Sequence, residues 1–187
     1  MRGAIQVPRT FVFVDISGFT NFTTTHGDAA AGELLSNWRR VTRDLASDTG
    51  VRIAKWLGDG CMIVAVDQRD AVAFALRLQK QSGAACAPLS VRVGIATGHA
   101  LLFEGDDYIG TAVNMAARIC DAAGAFEVLI PADQADHLPE GVVATAHEPL
   151  HLRGLNSGLQ VVALSGEPKD AARNDTGELW TRSPFVL

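Results

Sequence analysis

The strongest constraint on the fold of this chain is an Asp-Gly step set between two apolar runs. Val51 to Leu57 and Cys61 to Val66 flank Gly58-Asp59-Gly60, and such a step between β-prone segments calls for a tight antiparallel hairpin. A second carboxylate, Asp15, ends another apolar run, Thr10 to Asp15, that reads as a strand buried on both faces. An unpaired carboxylate at the end of such a strand is costly to bury. If the first strand lies beside the hairpin, Asp15 and Asp59 face one point. Oxygen donors of this kind suit magnesium or manganese, and a cation would relieve their repulsion.

The remaining elements follow from periodicity. Asp28 is expected to cap a helix whose apolar face is Leu34, Leu35, Trp38, Val41 and Leu45, and Gly50 to stop it. A second helix is expected from about Arg69 to Gln81. Leu89 to Thr97 alternates as a strand, which Gly98 is expected to turn towards a further strand, Ala100 to Glu104. A polar turn, Gly105-Asp106-Asp107, precedes a helix from about Thr111 to Ala122. Glu127 to Ile130 reads as a strand, Pro131 opens a short helix, and Val142 to Leu164 contains further strands. The order is β-α-β-β-α-β with additions. The expected class is therefore α+β: a ferredoxin-like, palm-type core with extra strands, its antiparallel sheet flanked by helices.

At 187 residues the chain is expected to be a single domain, with a core over about 9–165 and a loosely held tail over 166–187. Its hydrophobic content of 48% excludes a disordered chain, and its net charge of -5 argues against nucleic acid or an anionic membrane as partner. No apolar stretch approaches a membrane span, and Met1 to Gln6 lacks the apolar core of a signal peptide, so the expected location is cytoplasmic. Cys61, Cys86 and Cys120 are too widely spaced for a metal knuckle and read as buried reduced thiols.

Three further groups carry potential chemistry. Ile16-Ser17-Gly18-Phe19 offers successive backbone N–H groups beside Asp15, and a small turn entering a helix can cradle phosphate oxygens. Lys55 can donate to a purine ring acceptor while Asp107 accepts from an exocyclic amine, a pairing that fits adenine; guanine's reversed edge would favour an acidic residue in place of the lysine. Asn114 and Arg118, four residues apart, share one face of the third helix and could orient a ribose and stabilise phosphoryl charge. By contrast, His147-Glu148-Pro149-Leu150-His151 matches a zinc-protease pattern only in letters, because Pro149 interrupts the helix that chemistry needs.

Phe13-Val14-Asp15-Ile16-Ser17-Gly18-Phe19-Thr20, Lys55-Trp56-Leu57-Gly58-Asp59 and Gly110 to Arg118 together resemble the catalytic domain of class III nucleotidyl cyclases. The resemblance implies conversion of ATP to 3′,5′-cyclic AMP and pyrophosphate with two Mg2+ or Mn2+ ions per site. It implies metal binding by Asp15, Ile16 and Asp59, and phosphate binding by Ser17, Gly18, Phe19 and Thr20. Lys55 and Asp107 match the adenine-selecting pair, Asn114 the ribose-orienting residue and Arg118 the transition-state arginine. It further implies a head-to-tail homodimer, with Asp15 and Asp59 from one protomer meeting the other four residues from its partner. Some members carry an arginine where Glu127 stands here, which leaves Arg153 as the candidate for the terminal phosphates. No histidine lies near these motifs, so Asp15 or water would accept the proton. Guanylyl cyclase activity and a nucleotide-binding signalling module without turnover are the alternatives.

Overall fold

The computed structural model describes residues 5–103, 107–151 and 158–169. Its backbone is one sheet in the order β2-β3-β1-β4-β6-β8-β7, with β5 paired to β4. The strands are β1 (Ile5–Ser17), β2 (Arg52–Leu57), β3 (Gly60–Ala65), β4 (Ser90–Phe103), β5 (Asp107–Ile109), β6 (Val128–Pro131), β7 (Val142–Ala146) and β8 (Val161–Gly166). The helices are α1 (Phe19–Thr49), α2 (Gln68–Lys80), α3 (Ser82–Cys86) and α4 (Thr111–Ala122), and a 3₁₀ turn spans Ala132–His137. The run β1-α1-β2-β3-α2-β4 with sheet order β2-β3-β1-β4 is the expected ferredoxin-like core. Pairing is antiparallel except between β4 and β6.

Alternation along the central strands sorts their side chains onto two buried faces. Val12, Val14, Ile16, Ile63, Val91, Val93 and Ile95 pack beneath α1 and α2, together with Trp38, Phe74 and Leu78. Phe11, Met62, Val64 and Ala96 point the other way, against Ala112, Val113 and Ala116 of α4. The helix faces are those the periodicity predicts: Leu34, Trp38, Val41 and Leu45 are buried on α1, and Gly50, at φ 72°, ends that helix in the left-handed conformation. On α2 the Asp67 carboxylate accepts from the Arg69 N–H as an N-cap.

Three expectations need correction. Gly98 does not turn the chain: β4 runs unbroken from Ser90 to Phe103 and pairs with every residue of β1, Gly98 lying opposite Arg9. The glycine serves packing instead, because a Cβ there would meet the Cβ of Ala112 at 2.9 Å. Helix α1 begins at Phe19 rather than at Asp28, although the backbone does leave helical geometry at Gly27, φ 83°, one residue before Asp28. The polar turn is shorter than expected, since Asp107 already belongs to β5; residues 105 and 106 lie outside the described residues, as do 170–187 of the expected tail.

The close approach of α4 to β4 depends on Gly94. A Cβ on this residue would fall less than 3.0 Å from the Cys120 N and the Ala116 carbonyl, both backbone atoms of α4. Gly94→Ala is therefore expected to cost about 1–3 kcal/mol by overpacking, lowering the melting temperature by roughly 2–12 °C for a chain of this size. Gly83→Ala, which meets nothing within 4 Å on α3, should leave the melting temperature unchanged or raise it. Thermal unfolding followed by circular dichroism checks both.

Candidate active site

The hairpin brings the two aspartates together as the sequence predicts. Asp59 sits in the turn between β2 and β3, and β3 pairs with β1 up to Val14–Cys61. Gly60 makes the approach possible: a Cβ there would lie 3.4 Å from an Asp15 carboxylate oxygen and run into the Val14 carbonyl. Burial pushes the Asp59 carboxyl above its ordinary value, its own backbone N–H holds it down, the charge of Asp15 raises it further, and Arg92 opposes. Two half-buried carboxylates with one shared neighbourhood make a hard-oxygen donor set.

The sequence reading missed Arg92. It lies directly opposite Asp15 in the β1–β4 register, and its Nε and Nη2 donate to one Asp15 oxygen at 2.9 and 2.7 Å. Its Nη1 donates to the Asp121 carbonyl near the end of α4 at 2.8 Å. Burial works against the guanidinium charge, but the hydrogen bond and charge of Asp15 outweigh it and raise the Arg92 pKa. A cation thus already stands against Asp15, as the donor set calls for. A charged residue inside the alternating Val91-Arg92-Val93-Gly94-Ile95 run was the available signal.

Beside Asp15 the chain turns into α1 through Gly18, at φ 84°, with no side chain capping the helix. The first N–H groups of α1, from Phe19 onward, therefore lack a capping side chain, which is the arrangement that binds anions. The Ser17 Oγ is buried there without a hydrogen-bond partner among the described residues. Ile16 is buried under the α1–α2 layer, so only its main chain can face the site.

A second centre forms around Lys55 and Asp107. The Lys55 Nζ donates to an Asp107 oxygen at 2.6 Å, and that oxygen also accepts from the Tyr108 N–H at 3.1 Å. The hydrogen bond from Lys55 draws the Asp107 carboxyl below its usual range. A β-bulge aims the lysine. The register skips between Ile53 and Lys55, placing Lys55 opposite Met62 instead of the next residue, Cys61. Met62 belongs to the α4-side core, so Ala54 and Lys55 both face α4 while Ile53 and Trp56 face α1. Both members of the pair are more than two-fifths exposed, 42% and 45%, so it adds little stability and can be opened by a ligand.

Asn114 and Arg118 lie one turn apart on the exposed side of α4. Arg153 lies outside the described residues. Glu127, which stands where an arginine was sought, accepts from the Gly124 N–H at 2.7 Å and faces the His147 Nε2 at 3.4 Å. The segment from His147 to His151 is not helical; Leu150 bridges to Leu159 within it. All three cysteines are buried and unpaired, with burial raising Cys86 to about 11 and Cys120 to about 12 and pushing Cys61 still higher. Such thiols are inert. No helix among the described residues is long and apolar enough to cross a membrane.

Comparison with known proteins converges on one family. The model for the adenylate and guanylate cyclase catalytic domain matches residues 8–166. An uncharacterized protein of Mycobacterium tuberculosis is 35% identical over 157 residues, covering 84% of this chain and 41% of its own length. An adenylate cyclase of Streptomyces griseus is 34% identical over 118 residues, 63% of this chain and 29% of that one. The chain thus spans less than half the length of these curated relatives. Among solved structures, the adenylyl cyclase CyaB from P. aeruginosa superposes with a TM-score of 0.76 at 24% identity, covering 90% of this chain and 98% of that one. The guanylyl cyclase Cya2 does so with a TM-score of 0.75 at 19% identity, covering 91% and 98%; at these identities the likeness is one of fold. With the family model spanning nearly all described residues, the chain belongs to the adenylate and guanylate cyclase catalytic domain family.

Proposed function

We propose that this domain is an adenylyl cyclase that converts ATP to 3′,5′-cyclic AMP and pyrophosphate at sites shared across a homodimer. The observation that carries the choice of ATP is the Lys55–Asp107 pair at 2.6 Å, which the bulge before Lys55 brings together. Adenine can replace each partner of this weak pair: Lys55 donates to ring N1 and Asp107 accepts from the exocyclic amine. The Streptomyces relatives named adenylate cyclase favour the same reading.

Asp15 and Asp59, with the main chain at Ile16, would hold Mg2+ or Mn2+; their hard oxygens and close approach fit such ions. When bound, the pair of cations would make the ribose 3′-hydroxyl more acidic and offset the charge of departing pyrophosphate. The N–H groups around Ser17, Gly18, Phe19 and Thr20 receive phosphate oxygens at the uncapped start of α1. Asn114 orients the ribose so that its 3′-oxygen faces the α-phosphorus. Arg118 donates to the non-bridging oxygens of the α-phosphate as their charge grows. Arg153 remains the candidate for the terminal phosphates.

Sharing between protomers is supported by exposure. Asn114 and Arg118 project from the outer side of α4, while Leu57 and Ile109, on the strands that carry Lys55 and Asp107, and Phe103, paired with Asp107 from β4, are 47%, 52% and 48% exposed. A second copy would cover these apolar residues and complete the site.

Purified dimer with Mg2+ or Mn2+ is expected to form cyclic AMP from ATP at least tenfold faster than cyclic GMP from GTP, measured by chromatography; no product from either would reject the proposal. Lys55→Glu should shift the ATP-to-GTP preference by at least about tenfold, because it puts an acceptor where the base-contacting donor stood. Asp15→Ala and Arg118→Ala should each be inactive alone. Mixed in equal amounts they should recover about a quarter of wild-type activity, since random pairing makes half the dimers mixed and leaves one intact site in each.

The raised pKa of Asp59 gives a pH test. The folded state holds this proton more tightly than the unfolded chain, so stability from this group is lost as pH rises through the folded pKa. Metal-free Asp59→Asn is therefore expected to melt higher than wild type at pH 7, with the gain vanishing below the ordinary carboxylate value of 3.8. Differential scanning calorimetry across pH checks this.

A further inference from the structure

The turn that carries Asp59 is held from two sides. On one side Gly60 rests against the Val14 carbonyl and Asp15 of β1. On the other, Arg39 reaches from α1 and its Nη2 donates to the Gly58 carbonyl at 3.2 Å. The strand leading into the turn, β2, is at the edge of the sheet and, among the described residues, pairs only with β3. An edge strand interrupted by a bulge has few restraints of its own, so its turn needs an outside anchor.

Arg39 is placed there at a cost. Its guanidinium carbon lies 5.0 Å from the centre of the Trp56 ring, and that of Arg43 lies 5.3 Å from the same ring. Like charges four residues apart on a helix repel. The Arg39 Nε is also buried with no hydrogen-bond partner among the described residues. Stacking on the indole and the bond to Gly58 offset these terms.

We propose that Arg39 is a positioning residue for metal binding: by fixing the Gly58 carbonyl against α1 and Trp56, it holds the Asp59 carboxylate beside Asp15, where the two would share a divalent cation. Arg39 meets the turn at its backbone, through the Gly58 carbonyl one residue before Asp59. Arg43 shares the ring and serves as the matched control. The inference rests on the reading of Asp15 and Asp59 as metal ligands given above.

The test is a titration of the full chain with Mn2+ alone, free Mn2+ being read by electron paramagnetic resonance, alongside the Mn2+ dependence of turnover and the melting temperature. Arg39→Met is expected to raise the half-saturating Mn2+ concentration about tenfold, the usual effect of removing a group that orients a metal ligand. Turnover at saturating Mn2+ should stay within about twofold, as for a residue that touches no reacting atom. Arg39→Lys, which keeps a donor for Gly58, should bring Mn2+ affinity to within about threefold of wild type, and Arg43→Met should leave it unchanged. If Arg39→Met is too unstable to purify, Arg39→Gln is judged by the same criterion. Unchanged Mn2+ affinity in the Arg39 variants, or an equal loss in Arg43→Met, overturns the inference. Wild-type Mn2+ binding that Asp59→Asn does not weaken would instead reject the metal assignment on which it rests.

Discussion

Everything in this domain hangs on the ladder between β1 and β4. Each residue of β1 from Ile5 to Ser17 has a partner on β4, in register from Leu102 back to Ser90. That register decides which side chains meet. It sets Asp15 opposite Arg92, sends Val14 and Val93 to the α1–α2 layer, and leaves Gly94 facing α4. A slip of one residue would invert all of these at once, because side chains alternate with a period of two. Burial on both faces is what forbids the slip.

From this ladder the site grows in two directions. Towards the hairpin, Gly60 lets the β2–β3 turn close on Asp15 until two carboxylates share one neighbourhood. Towards α4, Arg92 joins the same Asp15 to the Asp121 carbonyl, so the helix carrying Asn114 and Arg118 is tied to the strand carrying the first acid. The Lys55–Asp107 pair is separate from this network and depends on a different device, the bulge before Lys55. Its exposure makes it a weak contact in the free protein and an available one for a base. The candidate site is therefore distributed over an acidic end, a polar helix face and an exposed lysine–aspartate pair, each positioned by its own local feature.

Much of this was legible beforehand where local chemistry is strong. The Asp-Gly hairpin, the α4 span and the Gly50 stop come directly from turn propensity, helical periodicity and the need for a left-handed residue. Gly98 misled because a glycine within an alternating run signals a turn and a close approach equally well; only the position of Ala112 distinguishes them. Asp28 drew the expected helix start away from Phe19 because it suits an N-cap; in the structure Thr23, Thr24 and Thr25 are already helical, their hydroxyls bonding back to carbonyls one turn earlier.

By itself the sequence determined the element order, the two acidic turns, the polar face of α4 and the family to which these motifs belong. Those are properties of residues within a few positions of one another. The tertiary structure alone decided that Arg92 meets Asp15, that Lys55 faces α4 rather than α1, and that Arg39 braces the turn of Asp59. Each depends on strand register, on a bulge or on how a helix lies across the sheet. These are long-range matters of packing, in which partners far apart in the chain are chosen by which arrangement buries both faces of the sheet without a void or a clash.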